Sequence, residues 1–556
     1  MHRVRIALAQ LNPTVGDLAG NVDLVAAAAA RAAELGADLV VAPELVVSGY
    51  PPEDLVLRPS FVRACEAAVA RLAGEVAVPV IVGSPWAGPD GVRNSAFVLE
   101  GGAVVARYDK MALPNYSVFD EQRTFRPGDG PLLVQAGGAL VGVTICEDIW
   151  VADGPAHAAA RGGASLVVNL SASPYHLGKG RQRDELIGAF AADEGCTVAY
   201  ANLVGGQDEL LFDGRSLVFD AAGDLLARGA FCAEDLVVCD LDLPSGRGAG
   251  AIAIAAELPV GAPAESVAAE TKPLPGSELE ELWGVLVLGL RDYVLKNGFP
   301  GVLLGVSGGI DSALVAALAA DALGAERVHA VSMPTRFNVA ETRSDARVVA
   351  ENLGVDFREL PIEHLRLAFN DLLPEVEGLA GENLQARLRG VILMSLSNQH
   401  GWLVLTTGNK SEVATGYSTL YGDSVGGFAP IKDVPKTLVH ALSRHLNERE
   451  GREVIPWSTV QRPPTAELRE DQRDDQSLPP YEVLDPVLHA YIEERMGPRE
   501  IAAAGLCDLE LARRIAGLVD RAEYKRRQGA PGLKVHPIAF GRDRRMPITN
   551  RYREEP

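Results

Sequence analysis

Short apolar runs alternate with helical stretches through residues 1–245. Most of these runs are rich in β-branched residues and are bounded by Gly, Pro or Asp, which is typical of strands. Several runs are apolar throughout, as expected of strands that are covered on both faces. The predicted strands are residues 5–11, 38–43, 79–83, 140–145, 165–170, 198–202 and 216–219.

The pattern changes between residues 246 and 275, which are rich in Ala, Gly and Pro and only weakly patterned. Such a composition is typical of a linker. A chain of 556 residues is also too long for one ordinary core. We therefore predict a first domain over residues 1–245, a linker over 246–275 and a second domain over 276–556.

A second alternation of helices and strands follows the predicted linker. A Gly-rich turn separates the strand at residues 301–306 from a long helix that begins at Ser312. This order of elements predicts a doubly wound α/β fold with a parallel, Rossmann-like sheet. The charged residues 467–476 are predicted to form a solvated loop. The other predicted elements are helices at 278–296, 343–353 and 384–399 and strands at 328–332 and 402–406.

Charge and cysteine content narrow the class of protein. A net charge of −22 argues against a general nucleic-acid binder, which needs a basic face, but not against a nucleotide ligand. The 6 cysteines are scattered without a CxxC pair, which is unlike a disulfide framework or a zinc site. The N-terminus lacks the features of a signal peptide, and no apolar run approaches the ~20 residues that span a bilayer. We expect a cytoplasmic protein that binds neither nucleic acid nor membranes.

Three reactive residues follow predicted strands of the first half: Glu44, Lys110 and Cys146. Open α/β sheets gather their sites at the carboxyl ends of strands. A nearby ammonium lowers the pKa of a thiol, and a carboxylate can take the thiol proton. The lysine can also stabilise the oxyanion that forms on an amide substrate. The three residues therefore suit amide hydrolysis through a thioester.

Each of these residues also has a purely structural interpretation. Free cysteine is commonly a small buried hydrophobe. Glu44 alone could be a helix cap or half of a salt bridge, and Lys110 alone could be a solvated surface charge. Spacing along the chain does not decide between these interpretations and the catalytic one.

The words around the three residues are more specific. VVAPELVVSGYPPEDL, YDKMALPNYSVFDEQRTF and GVTICEDIW occur in this order, and each resembles a catalytic segment of the nitrilase, or carbon–nitrogen hydrolase, family. The resemblance implies an α-β-β-α sandwich and a Glu44–Lys110–Cys146 triad. Glu121 would be a second acid near the triad or an orienting carboxylate.

Further words resemble the branch of that family that hydrolyses glutamine. These are LPNYSVFDE, SASPYHLGK and NLVGGQDELLFDG. The resemblance implies that Tyr116, Ser173 and Lys179 hold glutamine, and a lysine suits its α-carboxylate. Alternatively, Lys179 and Arg183 form a charged face beside a helix. The Gly205–Gly206 pair indicates a close backbone approach.

The most specific word is SGGIDS, which lies between an apolar strand and a helix in GVLLGVSGGIDSALVAAL. Glycines let backbone amides face an anion, and the N-terminus of the following helix adds positive potential. The GxxxxGK[ST] pattern of a Walker A loop is absent. The word resembles the pyrophosphate loop of the N-type ATP pyrophosphatases, which cleave ATP to AMP and pyrophosphate. The ATP-binding residues implied are Gly305, Val306, Ser307, Gly308, Gly309, Ile310, Asp311 and Ser312.

Four later segments resemble the NAD synthetase family: ENLQARLRG, LTTGNKSEVATGYSTLYGDSVGGFAPIKDVPKT, PPTAELREDQRDDQSLPPYEVLD and EYKRRQGAPGLKV. By that resemblance Thr407 also binds ATP, and Asp311 and Glu412 bind Mg²⁺, which prefers oxygen ligands and phosphate company. Members that use ammonia tend to carry a GTDxxE-like motif where this chain has GNKSE with Lys410. This difference leaves the magnesium role of the loop open. The deamido-NAD-binding residues implied are Asn383, Glu412, Tyr417, Ser418, Thr419, Leu420 and Lys525.

These residues keep structural alternatives too. Glu412 could be an acid in the first turn of a helix, where it is favourable to the helix dipole. Arg387 and Arg389 could form a solvated helix face.

Taken together, the resemblances imply an enzyme of the glutamine-dependent branch of the NAD synthetase family. Its substrates would be glutamine, ATP and deamido-NAD. We expect a homo-oligomer that protects the ammonia between its two sites, since ammonia in neutral water is mostly non-nucleophilic ammonium. Two alternatives stay open. The chain could amidate another acid, such as a purine nucleotide, or it could be a non-catalytic sensor of glutamine or nucleotide.

Overall fold

The computed structural model describes residues 1–245, 252–261, 265–465, 467–469 and 478–552. The chain forms two compact units. The first contains Met1–Gln207 and Leu211–Pro275, and the second contains Asp208–Leu210 and Gly276–Pro556. Each unit is described by itself.

Over its described residues, the first unit contains the seven predicted strands and eight further strands that the hydrophobic pattern did not predict. Its strands are β1 (His2–Gln10), β2 (Leu39–Val41), β3 (Val80–Gly88), β4 (Gly91–Glu100), β5 (Ala103–Asp109), β6 (Leu132–Ala136), β7 (Ala139–Ile145), β8 (Leu166–Ser171), β9 (Thr197–Asn202), β10 (Val204–Gln207), β11 (Leu210–Asp213), β12 (Leu217–Phe219), β13 (Leu225–Arg228), β14 (Asp235–Leu243) and β15 (Ile254–Leu258). Its helices are α1 (Leu18–Glu34), α2 (Pro59–Glu75), α3 (Glu121–Thr124), α4 (Pro155–Arg161) and α5 (Lys179–Glu194), with 3₁₀ turns at Glu53–Leu57 and Cys146–Ile149.

Two sheets pack face to face in this unit. The 6-stranded sheet has the order β14-β1-β2-β3-β4-β5, and the 7-stranded sheet has the order β13-β12-β9-β8-β7-β6-β15. One apolar core, which includes Ile6 and Val143, fills the space between the sheets. A second core lies between α1, α2 and the first sheet, and a third lies between α4, α5 and the second sheet. The predicted α-β-β-α sandwich is confirmed.

Local sequence explains why the helices cover the sheets. Asp17 caps α1 by accepting a hydrogen bond from the amide of Gly20 at 3.0 Å. Within α1, Val22, Val25 and Ala29 recur at helical spacing and are buried. The central strands β7, β8 and β9 of the 7-stranded sheet are buried along their whole length, because one face meets helices and the other meets the opposing sheet.

All seven strands predicted in this half are present, with ends that differ by up to a few residues. The segment 246–275, predicted as a linker, contains regular structure. Within its described part, Ile254–Leu258 forms β15, which pairs in parallel with β6. Four of the five residues of β15 are half-buried or exposed, so the strand lacks the apolar pattern that would have revealed it.

The second unit begins with a helix over the predicted residues. Its strands are β16 (Val302–Gly305), β17 (Val328–Ser332), β18 (Asp356–Glu359) and β19 (Leu403–Leu405). Its helices are α6 (Glu278–Lys296), α7 (Ile310–Leu323), α8 (Ala340–Leu353), α9 (Glu363–Leu372), α10 (Gly378–His400), α11 (Lys410–Thr415), α12 (Lys436–Glu450), α13 (Trp457–Gln461), α14 (Tyr481–Ile492), α15 (Pro498–Ala503), α16 (Leu509–Arg521) and α17 (Glu523–Arg526).

The four strands form a parallel sheet in the order β18-β17-β16-β19. Helix α10 packs on the face that carries Leu303, Val331 and Val404, and α7 contacts β16 and β17. The predicted doubly wound sheet is confirmed. The chain moves outward from β16 to β18 and then returns to the other side of β16, so the strand order reverses between β16 and β19. Ligands of such folds bind at this reversal.

Two sequence expectations concern the surface. Of the predicted solvated loop 467–476, residues 470–476 lie outside the described part of the chain. Glu467 and Leu468 are half-buried, unlike the expectation. Among the described residues, every helix is too short or too polar to cross a bilayer.

Candidate active sites

The fold brings Glu44, Lys110 and Cys146 together although they are far apart in sequence. Glu44 follows β2, Lys110 follows β5 and Cys146 follows β7. The three side chains are at most 3% exposed. Lys110 is therefore not a solvated surface charge, and Glu44 is paired with Lys110 and does not cap a helix.

Lys110 holds two carboxylates. Its Nζ donates to Oε1 of Glu44 at 2.8 Å and to Oε1 of Glu121 at 2.9 Å. Glu44 also accepts hydrogen bonds from Asn94 Nδ2 at 2.8 Å and from the amide of Ala172 at 3.1 Å. Charge-assisted hydrogen bonds of this kind are short and directional. They hold the Glu44 carboxylate and the Lys110 ammonium against each other in the buried interior.

Burial decides the protonation of Cys146. Burial and then the Glu44 carboxylate raise the pKa of this thiol well above its ordinary value, and Lys110 opposes them. Lys110 does lower the pKa of the thiol, as expected of a neighbouring ammonium, but its effect is outweighed. A dry pocket favours the neutral thiol more than one cation favours the thiolate. The thiol needs a base when it attacks.

Lys110 keeps its charge in the same pocket. Burial lowers the pKa of its ammonium, but Glu121 and Glu44 outweigh burial, so the pKa lies well above its ordinary value. Burial and the neighbouring Glu44 carboxylate raise the pKa of Glu121, and Lys110 opposes them. The site thus contains a permanent cation, a carboxylate that can act as a base and a neutral thiol.

The three residues predicted to hold glutamine differ in exposure. Tyr116 is exposed, and its hydroxyl donates to the carboxylate of Glu147, next to the nucleophile, at 3.0 Å. Ser173 is buried. Lys179 places Nζ 3.7 Å from the centre of the Trp150 ring, in cation–π contact. Burial and the neighbouring Arg183 lower the pKa of Lys179, which favours a partner of negative charge.

Arg183 is a buried structural residue. Its Nη1 and Nη2 donate to the two oxygens of Asp213 at 3.1 and 2.8 Å, and both side chains are 0% exposed. The alternative of a charged surface beside the helix is therefore wrong for Arg183. The close approach predicted at Gly205 is also present, because a Cβ there would lie 2.0 Å from Asn12 Oδ1.

A cavity of about 270 Å³ marks the second site, in the second unit. It opens at the strand reversal between β16 and β19. Every residue that the sequence assigns to ATP lines this cavity: Gly305, Val306, Ser307, Gly308, Gly309, Ile310, Asp311, Ser312 and Thr407.

The SGGIDS loop is held by its own hydroxyls. Ser312 Oγ donates to the carbonyl of Gly309 at 2.9 Å, and the amide of Gly309 donates to Ser307 Oγ at 3.1 Å. Gly308 has φ of +85°, and a Cβ on it would lie 2.0 Å from the carbonyl oxygen of Thr342. Only glycine fits there. The loop ends at the N-terminus of α7, whose unpaired amides suit an anion.

Asp311 and Glu412 both approach the ammonium of Lys436. Lys436 Nζ is paired with Asp311 Oδ2, and it lies 3.7 Å from Glu412 Oε1. The two carboxylates thus converge on one cationic position in the cavity. Across the described residues, we find no group of three or more Asp, Glu, His or Cys side chains arranged for a metal. Two carboxylates fit Mg²⁺ when phosphate oxygens supply further ligands.

Glu412 also serves its helix. It accepts from the amide of Asn409 at 3.3 Å, while Asn409 Oδ1 accepts from the amide of Glu412 at 3.0 Å. This capping box starts α11. Glu412 is thus an acid in the first turn of a helix, as the structural interpretation expected. The same side chain also lines the cavity.

The residues predicted to bind deamido-NAD separate into two groups. Glu412 and Tyr417 line the cavity. The others gather around the loop after α11: Lys525 Nζ donates to the carbonyls of Gly416 and Ser418 at 2.7 Å each, and Thr419 Oγ1 donates to Asn383 Oδ1 at 2.7 Å. The carbonyl of Leu420 accepts from Arg387 Nε at 3.2 Å.

Lys410 plays a structural part in this loop. It is buried, and its Nζ lies 2.8 Å from Asp433 and 2.7 Å from Glu493. These contacts satisfy the charge, and Lys410 is not among the cavity-lining residues.

Comparison with known proteins separates the two units in the same way. Residues 5–250 match the carbon-nitrogen hydrolase family, and residues 282–529 match the NAD synthase family. A glutamine-dependent NAD(+) synthetase of Thermotoga maritima is 46% identical over 580 residues that cover 100% of both chains. This chain belongs to the glutamine-dependent NAD(+) synthetase family. The enzyme of that name from Aquifex aeolicus is 43% identical and covers 99% of this chain, with 100% of its own length matched.

Solved structures agree with this membership. The glutamine-dependent NAD+ synthetase of Acinetobacter baumannii, solved with adenosine diphosphate, is 39% identical with a TM-score of 0.75 and covers 99% of both chains. A glutamine-dependent NAD(+) synthetase from Cytophaga hutchinsonii has a TM-score of 0.82 over 99% of this chain and 98% of its own, at 23% identity. The second likeness shows the fold.

In this family member, sequence reasoning missed several cavity residues. Lys436, Arg389, Asp423 and Glu467 line the cavity of the second unit. The sequence left Arg389 open as a solvated helix residue, but it is half-buried and donates to the carbonyl of Met333 at 3.0 Å. Withdrawal of its guanidinium from water lowers its pKa to about 10. Lys436 belongs to a segment that resembles the family, but a single lysine at the start of a helix does not by itself indicate a binding role. Its ion pair with Asp311 in the folded chain does.

Proposed function

We propose that this chain hydrolyses glutamine at Cys146 and transfers the ammonia to deamido-NAD, which it first adenylates with ATP, releasing NAD, AMP and pyrophosphate. One observation carries the proposal. A single chain holds a buried Glu44–Lys110–Cys146 cluster and, in its second unit, a cavity lined by the whole SGGIDS loop. The first arrangement suits the release of ammonia, and the second suits the activation of a carboxylate.

In the first site, Glu44 takes the Cys146 proton as the sulfur attacks the glutamine amide. A base is required because burial keeps the thiol protonated. Lys110, which stays charged between Glu44 and Glu121, stabilises the oxyanion. Glu44 then gives its proton to the departing ammonia, and water hydrolyses the thioester with Glu44 again as the base.

Glutamine is held by groups around this pocket. Lys179, half-withdrawn from water over Trp150, pairs with the α-carboxylate. Tyr116 and Ser173 contact the rest of the amino acid. Support comes from the lowered pKa of Lys179, since an anionic partner would restore the favoured charge of this lysine.

In the second site, backbone amides of the SGGIDS loop and Thr407 hold ATP, and Lys436 faces its phosphates from the cavity wall. Mg²⁺ would be held by Asp311 and Glu412, where it would neutralise phosphate charge. Deamido-NAD contacts Asn383, Glu412, Lys525 and the segment Tyr417, Ser418, Thr419 and Leu420. Lys525 donates hydrogen bonds to the carbonyls of Gly416 and Ser418. These contacts support the assignment of Lys525 and this loop to the same ligand.

The chain's organisation completes the proposal. We infer an amidase domain over residues 1–245 and a synthetase domain over 276–556 in a homo-oligomer. Ammonia passes to the adenylated acceptor without mixing with water, because protonation would remove its nucleophilic lone pair. Six free cysteines, four of them buried, support work in a reducing cytoplasm.

A coupled assay tests the proposal. The intact chain is supplied with glutamine, ATP, Mg²⁺ and deamido-NAD, and NAD, AMP, pyrophosphate and glutamate are counted. We expect NAD and AMP in equal amounts, and glutamate formation that depends on Cys146. If another acid, such as a purine nucleotide, is amidated in place of deamido-NAD, the acceptor assignment is wrong. If no acid is amidated but glutamine or a nucleotide still binds, the chain is a sensor.

A further inference from the structure

Asp148 supplies a third carboxylate of the amidase site. Glu44 and Glu121 accept hydrogen bonds from Lys110, whereas Asp148 accepts them from other groups. Asp148 lies two residues after Cys146 and is 0% exposed. Its two oxygens accept hydrogen bonds from four donors. These are Ile145 N at 2.9 Å, Tyr108 OH at 2.8 Å, Ala112 N at 2.8 Å and Met111 N at 3.3 Å.

These donors come from two separate segments. Ile145 is the last residue of β7 and immediately precedes Cys146. Tyr108 lies two residues before Lys110, and Met111 and Ala112 follow it directly. Asp148 therefore holds the backbone that follows Lys110, the side chain of Tyr108 before it, and the backbone that presents Cys146. One rigid carboxylate joins the segments that supply two of the three triad residues.

The nucleophile needs such support because of its backbone. Cys146 has φ of +43°, a left-handed conformation that side-chain-bearing residues seldom adopt. Conformations of this kind persist only where surrounding contacts impose them. Asp148, in the first turn of the Cys146–Ile149 3₁₀ helix, accepts from the amide of Ile145 and so closes that turn.

We propose that Asp148 is a positioning residue that sets the distance and direction between the Lys110 ammonium and the Cys146 thiol. The inference rests on the proposed glutaminase function and deepens it. Asp148 gives and takes no proton in the reaction. It acts by keeping the oxyanion-stabilising group and the nucleophile in register, and small displacements at such a site are costly to the rate.

The replacement Asp148→Asn in the full chain tests this. Asparagine has the same shape, but its NH₂ group must face N–H donors that the carboxylate accepted. The steady-state rate with glutamine and the rate of thioester formation after rapid acid quench are measured by mass spectrometry of the Cys146 peptide. We expect both rates to fall about 10²-fold, with a nearly unchanged KM for glutamine, because Lys179 and its surroundings are untouched.

Three comparisons separate positioning from general stability. Tyr108→Phe removes one of the four donors and should lower thioester formation less than Asp148→Asn does. Asp240→Asn removes another carboxylate of the same unit, paired with Arg5 at 2.6 Å; it should lower the melting temperature and leave the glutamine rate unchanged. NAD synthesis from added ammonium should be unchanged in all three variants.

Two results would overturn the proposal. One is a normal rate of thioester formation in folded Asp148→Asn protein. The other is a loss of rate in Asp240→Asn that matches that of Asp148→Asn at equal loss of stability. If the unaltered chain itself forms no thioester with glutamine, the proposed function fails instead, which the same quench experiment reveals separately.

Discussion

Nζ of Lys110 lies 2.8 Å from Oε1 of Glu44, and both side chains are completely shut off from water. A buried ion pair keeps its charges only when each is compensated. Here Glu121 provides a second carboxylate for Lys110, and Asn94 and Ala172 provide donors to Glu44. The arrangement keeps the Lys110 ammonium charged between two carboxylates and beside a thiol that burial keeps neutral.

Replacing Glu44 tests its role as the base. We expect Glu44→Gln to lower the glutamine-dependent rate about 10²- to 10⁴-fold, the usual contribution of a positioned acid–base group. NAD synthesis from added ammonium should continue, because the synthetase cavity is unaltered. The control is Glu75→Gln, a change in an exposed residue that pairs with Arg71. Equal glutamine-dependent rates for the two variants would rule out Glu44 as the base.

The pH dependence of alkylation tests the protonation of Cys146. Burial raises the pKa of the thiol. Its thiolate should therefore appear only above the ordinary pKa of a cysteine, about 8.5. The reaction of the Cys146 peptide with iodoacetamide is followed by mass spectrometry from pH 6 upward. The same peptide in unfolded protein should react with an ordinary thiol pKa. A midpoint in the folded enzyme below that of the unfolded control would show that Lys110 prevails over burial.

A pair of glycine replacements tests the phosphate loop. Gly308 and Gly298 both have positive φ, but only Gly308 has a backbone oxygen, that of Thr342, where a Cβ would lie. Both replacements by alanine should cost about 1–3 kcal/mol of stability through backbone strain. Gly308→Ala should in addition abolish AMP formation, because the loop must move. The prediction fails if Gly308→Ala protein binds ATP as tightly as Gly298→Ala protein in a calorimetric titration.

A fourth prediction concerns stability. Arg183→Leu leaves Asp213 buried without its bidentate partner, and removing one partner of a buried pair typically costs about 3–5 kcal/mol. The free energy of unfolding of the first unit's transition is measured in urea. Arg31→Leu, which removes an exposed pair with Glu34, should have little effect. Similar losses for the two variants would contradict the assigned burial.

Much of the fold followed from local pattern. The seven predicted strands of the first half are apolar between turn residues, and α6 spans the predicted residues 278–296. Strand β15 was missed because its residues alternate poorly and are largely exposed. It forms through pairing with β6, a partner more than a hundred residues away, and such pairing leaves no trace in the sequence of either strand.

The sequence by itself determined which chemical groups are present: a cysteine, a lysine and a glutamate at strand ends, and a glycine loop before a helix. Tertiary structure decided their states. Burial by distant elements, and not the adjacent lysine alone, determines the proton on Cys146. Asp148, Arg389 and Lys436 looked like ordinary charged residues until the fold placed their partners beside them. Protonation and positioning depend on the dielectric and the neighbours in space, and those exist only once the chain has folded.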